Sequence, residues 1–215
     1  MSNLLSTINQ RLRLERHYRR IFERPLPKGV TYFYCLGGIA FFFLLILTFT
    51  GVVLSFYYVP SGHEAYSTLR FIDDKLPGGW LMRSMHVWAA SGMVAAVLLH
   101  MIRVYLTGSY KPPREFNWVV GSTLFVLTMA FGFSGYLLPW DQKAYWATTV
   151  GTAMPRTIPV VGNFIMQILR GGPDVTGITL LRFYVMHVYI LPVISIFLLW
   201  AHFHMIRRQG ISGGL

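Results

Sequence analysis

Four long stretches without charged residues divide this chain. Asp, Glu, Lys and Arg are all missing between Lys28 and Glu64, between Arg83 and Arg103, between Glu115 and Asp141, and between Arg182 and Arg207. Each stretch supplies the ~20 apolar residues that a helix needs to cross a hydrocarbon core of ~30 Å. We therefore predict an all-α integral membrane protein. Its four-transmembrane-helix bundle has spans A, B, C and D at about 32–58, 82–106, 116–138 and 179–206.

A fifth charge-free stretch lies between spans C and D. It separates Arg156 from Arg170, and its 13 residues are too few to cross a membrane. Pro159 opens the stretch and Gly162 interrupts it. We interpret residues 140–170 as a helical excursion at the membrane interface. Spacing alone is equally compatible with an ordinary loop.

Composition supports a membrane protein and predicts its orientation. Of the 215 residues, 54% are hydrophobic and 13% are charged, whereas soluble domains carry roughly 25% charged residues. A single cysteine argues against a disulfide scaffold. Twelve of the 19 Lys and Arg residues fall on the side that both termini share, which predicts cytoplasmic or stromal termini. The basic surface segment 1–30 then faces anionic membrane lipid, and we expect no nucleic-acid partner.

Span B carries two histidines in a regular arrangement. Polar side chains are expensive in hydrocarbon, so intramembrane histidines indicate a function. His86 and His100 are 14 residues apart, which leaves about −40° of helical rotation and puts both on one face. The rise between them is about 21 Å, which places one near each membrane surface.

Span D repeats the arrangement with one extra residue. His187 and His202 are 15 residues apart, which leaves about +60° of rotation. We expect a kink at Pro192, between them, to absorb the extra residue. His204 is 17 residues from His187 and about −100° away, so it is the poorer partner.

Together the four histidines predict two metal centres. Spans B and D run in the same direction, so His86 is level with His187 near the outer side and His100 with His202 near the inner side. Opposed imidazoles at two levels are typical of two haems, each with two histidine ligands. A hydrogen bond between helices is the alternative for any single histidine. Zinc is disfavoured because its ligands would have to lie much closer together than ~21 Å.

Spans A and C carry glycines with the same spacing. Gly37 and Gly51 are 14 residues apart, as are Gly121 and Gly135. Such glycines would leave room for a bulky group beside each haem plane. Small-residue packing between membrane helices is an equally good interpretation when the glycines are taken alone.

Several arginines at the span ends are candidates for binding haem propionates. An arginine can contact a carboxylate with two hydrogen bonds. Such arginines can also simply extend toward water from a span end. The candidates are Arg83, Arg103, Arg182 and Arg207. Cys35, at the inner start of span A, is uninformative by composition, since no C-x-x-C-H motif accompanies it.

Several short motifs accompany the histidines and glycines. They include Tyr34-Cys35-Leu36-Gly37-Gly38, Lys111-Pro112-Pro113-Arg114-Glu115, Leu138-Pro139-Trp140-Asp141-Gln142, Ile158-Pro159-Val160-Val161-Gly162 and Met205-Ile206-Arg207. Because of these motifs, the chain resembles the cytochrome b6 family, the haem-bearing subunits of cytochrome b6f complexes. The resemblance runs from about Tyr34 to Leu215.

The resemblance implies three haem groups. His86 and His187 would hold an outer, low-potential haem b, and His100 and His202 an inner, high-potential haem b. It also implies that Cys35 bonds covalently to a haem c at the inner side through a single thioether. That role replaces the uninformative reading of this cysteine.

Further residue roles are implied in the same way. Arg207 would lie close to the haem c, and Arg114 would be another haem contact. Tyr136, Trp140 and Asp141 would form part of one wall of an outer quinol pocket. Whether chlorophyll a or carotenoid also binds is left open by the resemblance.

The implied activity belongs to a complex. Quinol oxidation at the outer side would send one electron to a Rieske iron-sulfur protein and on to a c-type cytochrome, cytochrome f or an equivalent. The other electron would cross the membrane through the two haems b to a quinone site at the inner side, coupled to proton translocation in a Q cycle. A three-span subunit IV carrying a Pro-Glu-Trp-Tyr motif would complete the pocket. A dimeric complex is expected.

The chain also departs from the family pattern. His86-Val87-Trp88 has valine where the family often has arginine, and residues 1–30 are more basic than usual. These departures suggest a diverged bacterial complex using menaquinone. The expected location is a bacterial cytoplasmic membrane or a thylakoid membrane. Two alternatives stand beside this interpretation. They are a di-haem membrane anchor of a dehydrogenase or hydrogenase, and a transporter whose histidines line a proton path.

Overall fold

Four long apolar helices dominate the structure. The computed structural model describes residues 7, 11–13, 15, 23 and 28–212, which are helical wherever they have regular structure. The helices long and apolar enough to cross a membrane are Tyr32–Ser55, Gly79–Leu106, Glu115–Leu137 and Gly177–Gln209. They confirm the predicted fold of four membrane-spanning helices. Most of the predicted basic segment 1–30 lies outside the described residues.

The spans pack in pairs. Span A packs most extensively on span B, and span D packs on span C. Buried alanines at the contacts, Ala40 in span A with Ala89 and Ala96 in span B, let the helix backbones approach closely. Large apolar side chains such as Phe42 and Phe197 point outward and are more than half exposed. This inside-out pattern is expected where hydrocarbon surrounds the bundle.

The connections between spans contain short helices. Ala65–Asp74 lies between spans A and B, where the charge pattern indicated no helix. The helices Gln142–Ala153 and Gly162–Arg170 lie between spans C and D, so the excursion is helical, not an ordinary loop. Asp141 begins it as an N-cap, its Oδ1 accepting a hydrogen bond from the Ala144 N–H at 2.8 Å.

Span D accommodates its extra residue in a π-helical turn just before Pro192, and the kink at Pro192 stays a prediction. The turn covers Met186–Ile190, and the Leu191 N–H donates to the Met186 carbonyl five residues back. A single π turn accommodates one additional residue. Removing about 100° from the +60° between His187 and His202 leaves about −40°, the same rotation as in span B. Pro192 follows the turn at the start of an ordinary helical segment.

A buried arginine fixes the C–D connection to span D. Arg170 is 8% exposed. Its guanidinium donates to Thr152 Oγ1 at 2.7 Å and to the carbonyls of Pro173 and Thr149, each at 2.9 Å. Its own carbonyl accepts from the Thr179 hydroxyl at 2.7 Å. One residue thus joins both connecting helices through its side chain and the first turn of span D through its carbonyl.

We expect Arg170→Met to lower the thermal stability of the protein. The substitution removes three hydrogen bonds made by a charged, buried side chain, and hydrogen bonds to charged groups are worth enough that the loss should be about 3 kcal/mol in free energy of unfolding. The midpoint of heat denaturation in detergent measures the effect. Arg156→Met is the control, because Arg156 is exposed in the same connection. Equal midpoints for the two variants would contradict the role given to Arg170.

Candidate functional site

The outer histidine pair faces across the interior of the bundle. The ring centroids of His86 and His187 are 6.4 Å apart, with the ring planes at 63°. Two imidazoles that bind one metal from opposite sides, with bonds of about 2 Å, need a separation of this size. The spacing therefore fits a metal between the two rings.

The inner pair occupies the other end of the same two spans. His100 and His202 lie close enough to interact electrostatically. The Nδ1 atoms of both rings are buried and make no hydrogen bond. The structure thus brings the four sequence-predicted histidines together as two pairs. His204 is not part of either pair and stacks on Trp200, with centroids 5.5 Å apart.

Each predicted glycine lies against one histidine ring. A Cβ atom added to the glycine would come so near the imidazole Cε1 atom that, at most of the four positions, the contact would be closer than an ordinary van der Waals contact. The four distances are 3.0 Å for Gly37 and His100, 3.3 Å for Gly51 and His86, 3.4 Å for Gly121 and His202, and 2.7 Å for Gly135 and His187. The glycines therefore make room for the imidazoles themselves, whereas the spacing had suggested room beside a haem plane.

Two hydroxyl groups orient the outer histidines. Thr50 Oγ1 lies 2.8 Å from His86 Nδ1, and Ser134 Oγ lies 3.0 Å from His187 Nδ1. Each hydroxyl donates its single hydrogen to a carbonyl four residues earlier, that of Ile46 or Ala130, at 2.7 Å. Each oxygen can then only accept from Nδ1–H. This assignment leaves Nε2 of both rings with a free lone pair, the state required of a metal ligand.

These hydroxyl residues were missed in the sequence. Thr50 and Ser134 directly precede Gly51 and Gly135, the two glycines at the outer level. A hydroxyl next to each glycine was the signal that could have identified them. Both side chains are fully buried.

The inner end of the bundle has a concentration of unpaired polar atoms. This end is defined by the start of span A, the end of B, the start of C and the end of D. Among the described residues, seven buried side-chain polar atoms have no hydrogen-bond partner, and every one lies at this end. They are Tyr34 Oη, His100 Nδ1, Arg103 Nε, Arg114 Nε, Asn117 Oδ1, His202 Nδ1 and Gln209 Oε1. Buried polar groups are normally paired, so this cluster fits a bound group with anionic substituents.

The arginines fall into two sets. At the inner end, Arg103 lies over the Tyr34 ring at 4.4 Å, and Arg114 donates to the Gln209 carbonyl at 3.2 Å. Both keep an unpaired Nε. At the outer end, Arg83 is paired with Asp73 of the short helix Ala65–Asp74. The chain itself therefore neutralises Arg83, a partner that the sequence analysis did not anticipate.

The remaining candidates lie at the span ends. Arg182 donates to the Ile168 carbonyl, and Arg207 lies in the last turn of span D. Cys35 is a free, exposed cysteine directly before the long helix of span A. An exposed thiol at the same end as the unpaired polar cluster fits covalent attachment of a group there.

The predicted quinone-site residues lie together at the outer end of span C. Tyr136 is 56% exposed. Trp140 is half-buried, packs edge-to-face on Tyr145 at 5.8 Å, and has a left-handed backbone with φ of +52°. Such strain in a residue other than glycine is often found at functional sites. Asp141 is engaged as the N-cap described above, so its carboxylate has a structural role.

Comparisons with known proteins show which family the chain resembles. A family model described as Cytochrome b/b6/petB matches residues 21–210. Cytochrome b6 of Euglena gracilis is 45% identical over 215 residues, and the alignment covers 100% of both chains. Cytochrome b6 of Synechococcus sp. (strain RCC307) is 48% identical, covering 96% of this chain and 95% of that one. The similarity therefore extends into the N-terminal segment, beyond the motifs quoted above.

A solved structure has the same fold. A chain of a hyperthermophilic respiratory Complex III superimposes with a TM-score of 0.89 and 32% identity, over 97% of this chain. This chain spans 56% of the length of that one. With the family model and the cytochromes b6 that match over the full length, the conclusion is direct: the chain belongs to the cytochrome b/b6 family.

Proposed function

We propose that this chain is the electron-transferring haem subunit of a quinol:c-type cytochrome or quinol:plastocyanin oxidoreductase complex. The observation that carries the proposal is the pair of opposed imidazoles at the outer level, together with the second histidine pair at the inner level, each imidazole fitted against a glycine. Haem supplies reversible one-electron transfer when it is bound in such a site. The protein contributes position, potential and exclusion of water.

The outer site would hold one haem b through Nε2 of His86 and His187. The Thr50 and Ser134 hydroxyls keep the Nδ1 protons on these rings and fix the ring orientation. Gly51 lets the His86 ring lie directly against span A.

The inner site would hold a second haem b through His100 and His202. The unpaired Nε atoms of Arg103 and Arg114 are suited to carboxylate substituents at this end. Cys35 would attach a haem c through one thioether, and Arg207 would lie near it. Arg182 and Arg83 would be further contacts, the latter shared with Asp73.

The quinol site and the partner subunits extend the proposal. Tyr136, Trp140 and Asp141 would form part of one wall of an outer quinol pocket, with the rest supplied by a three-span subunit. A Rieske protein and a c-type cytochrome would accept one of the two electrons in a Q cycle, within a dimeric complex. The basic span ends support termini on the cytoplasmic or stromal side of a bacterial or thylakoid membrane.

Haem counting in a Cys35→Ala variant tests the proposal. The wild-type complex is expected to show a haem stain on this chain in a denaturing gel and two extractable b haems by pyridine haemochrome. The variant should lose the stain and keep both b haems, because its axial histidines are unchanged. Cys35→Ser, which also lacks the thiol but keeps a polar side chain, should lose the stain in the same way.

The other outcomes are informative in different ways. Two b haems with no stain in wild type would contradict the haem c and favour a di-haem anchor. Absence of any haem from the purified complex would overturn the electron-transfer function.

A further inference from the structure

The two histidine pairs differ in their immediate surroundings. The residue directly before each of the four glycines differs in kind between the two levels. At the outer level these preceding residues are hydroxylic, and at the inner level they are apolar. They are Thr50 and Ser134 at the outer level, and Leu36 and Val120 at the inner level.

The difference reaches the ring nitrogens. At the outer level both Nδ1 atoms have a hydroxyl acceptor, at 2.8 Å for His86 and 3.0 Å for His187. At the inner level neither His100 Nδ1 nor His202 Nδ1 makes a hydrogen bond. The carbonyl of Asn117 lies beside His202 but does not reach hydrogen-bond geometry.

One inner position matches an outer position closely. A Cβ at Gly51 would lie 3.3 Å from Cε1 and 3.8 Å from Nδ1 of His86. A Cβ at Gly121 would lie 3.4 Å and 3.9 Å from the same atoms of His202. Val120 and Thr50 therefore hold equivalent places, and they differ by a methyl group in place of a hydroxyl.

We propose that Thr50 and Ser134 are positioning residues that set the reduction potential of the outer haem iron below that of the inner one. The inference rests on the proposed function, since it concerns histidines acting as iron ligands. An acceptor on Nδ1–H makes Nε2 a stronger electron donor. Stronger donation stabilises ferric over ferrous iron, so the addition of one electron becomes less favourable while the Nδ1 proton stays in place.

Backbone carbonyls provide the rival explanation. The carbonyl of Leu47 lies beside His86, and that of Phe131 lies beside His187. If these carbonyls alone governed the rings, removing a hydroxyl would leave the potential unchanged. The inner level argues against this, because His202 has an equivalent carbonyl neighbour in Asn117, so a carbonyl neighbour does not by itself distinguish the two levels.

The test is a potentiometric titration of the two b haems in the purified complex carrying Thr50→Val. This nearly isosteric change removes the acceptor and keeps the volume. We expect the equilibrium constant for reduction of the outer haem to increase about tenfold, the size of effect seen when a hydrogen-bond partner of a metal ligand is removed. For one electron, this raises the reduction potential by about 59 mV. The inner potential should not move. Thr50→Ser, which restores a hydroxyl, should return the wild-type value.

Val120→Thr makes the test independent of any damage at the outer site. It supplies His202 with the acceptor that Thr50 gives His86, so the inner potential should fall while the outer one stays constant. A structural defect would not move the two potentials in opposite directions.

Two results would overturn the proposal. One is an unchanged outer potential in Thr50→Val with both haems present, and the other is an unchanged inner potential in Val120→Thr. Either leaves the proposed function intact, because two b haems are still counted. A complex without b haems would instead refute the proposed function itself.

Discussion

Replacing His202 with leucine is expected to remove the inner haem b, whereas replacing His204 with leucine is expected to leave both b haems in place. The two histidines are two residues apart on one helix. The π turn at Met186–Ile190 rotates His202 into register with His187, while His204 packs on Trp200. A lost axial ligand leaves the iron with one protein donor, so binding should fall by more than a hundredfold, beyond the range of outer-shell effects.

Pyridine haemochrome counting on the purified complex measures this result. The extractable b haems should fall from two to one in His202→Leu. His204→Leu controls for loss of an imidazole from the same helical end. Equal haem counts in the two variants, or a loss confined to His204→Leu, would show that the ligand assignment in span D is wrong.

Replacing Gly135 with valine is expected to displace His187 and destroy the outer site. A Cβ at this position would lie 2.7 Å from His187 Cε1, a distance that real Cβ contacts do not tolerate. The ring cannot simply move away, because Ser134 holds its Nδ1 from the same helix. We therefore expect loss of the outer haem b.

Gly132→Val is the matched control in the same span. A Cβ there meets nothing within 4 Å, so the haem count and the visible spectrum should be those of wild type. Gly121→Ala provides a milder comparison, because its Cβ would lie at an ordinary 3.4 Å from His202. Equal haem loss in Gly132→Val and Gly135→Val would indicate that the low helix propensity of valine, and not the contact with the imidazole, causes the loss.

Much of the fold could be predicted because hydrocarbon imposes a strong rule on sequence. Charges are excluded over whole spans, so the four gaps between charged residues found the four helices. The short helix Ala65–Asp74 lies outside that rule. Its apolar residues Ala65, Leu69 and Ile72 recur at helical spacing and pack inward, so amphipathic periodicity was the signal that could have identified it. The π turn was not predicted. A proline is visible in a sequence, whereas a change in the backbone hydrogen-bond register has no residue signature.

The candidate site shows the same division. Histidine and glycine spacing predicted which residues come together, because both follow directly from helical geometry. It did not predict what surrounds them. Thr50 and Ser134 act through hydrogen bonds to side chains on another span, and Arg83 finds Asp73 across a turn. Such pairings depend on how the helices pack, which one sequence does not determine.

The contacts between glycines and histidines divide the bundle into two halves. Glycines of span A lie only against histidines of span B, and glycines of span C only against histidines of span D. Each helical hairpin therefore prepares two imidazoles, one for each level, and neither hairpin completes a pair. A cofactor bound between the rings would therefore link the A–B hairpin to the C–D hairpin. Cofactor binding then depends on correct packing of the two hairpins, since only correctly packed hairpins present both imidazoles at both levels.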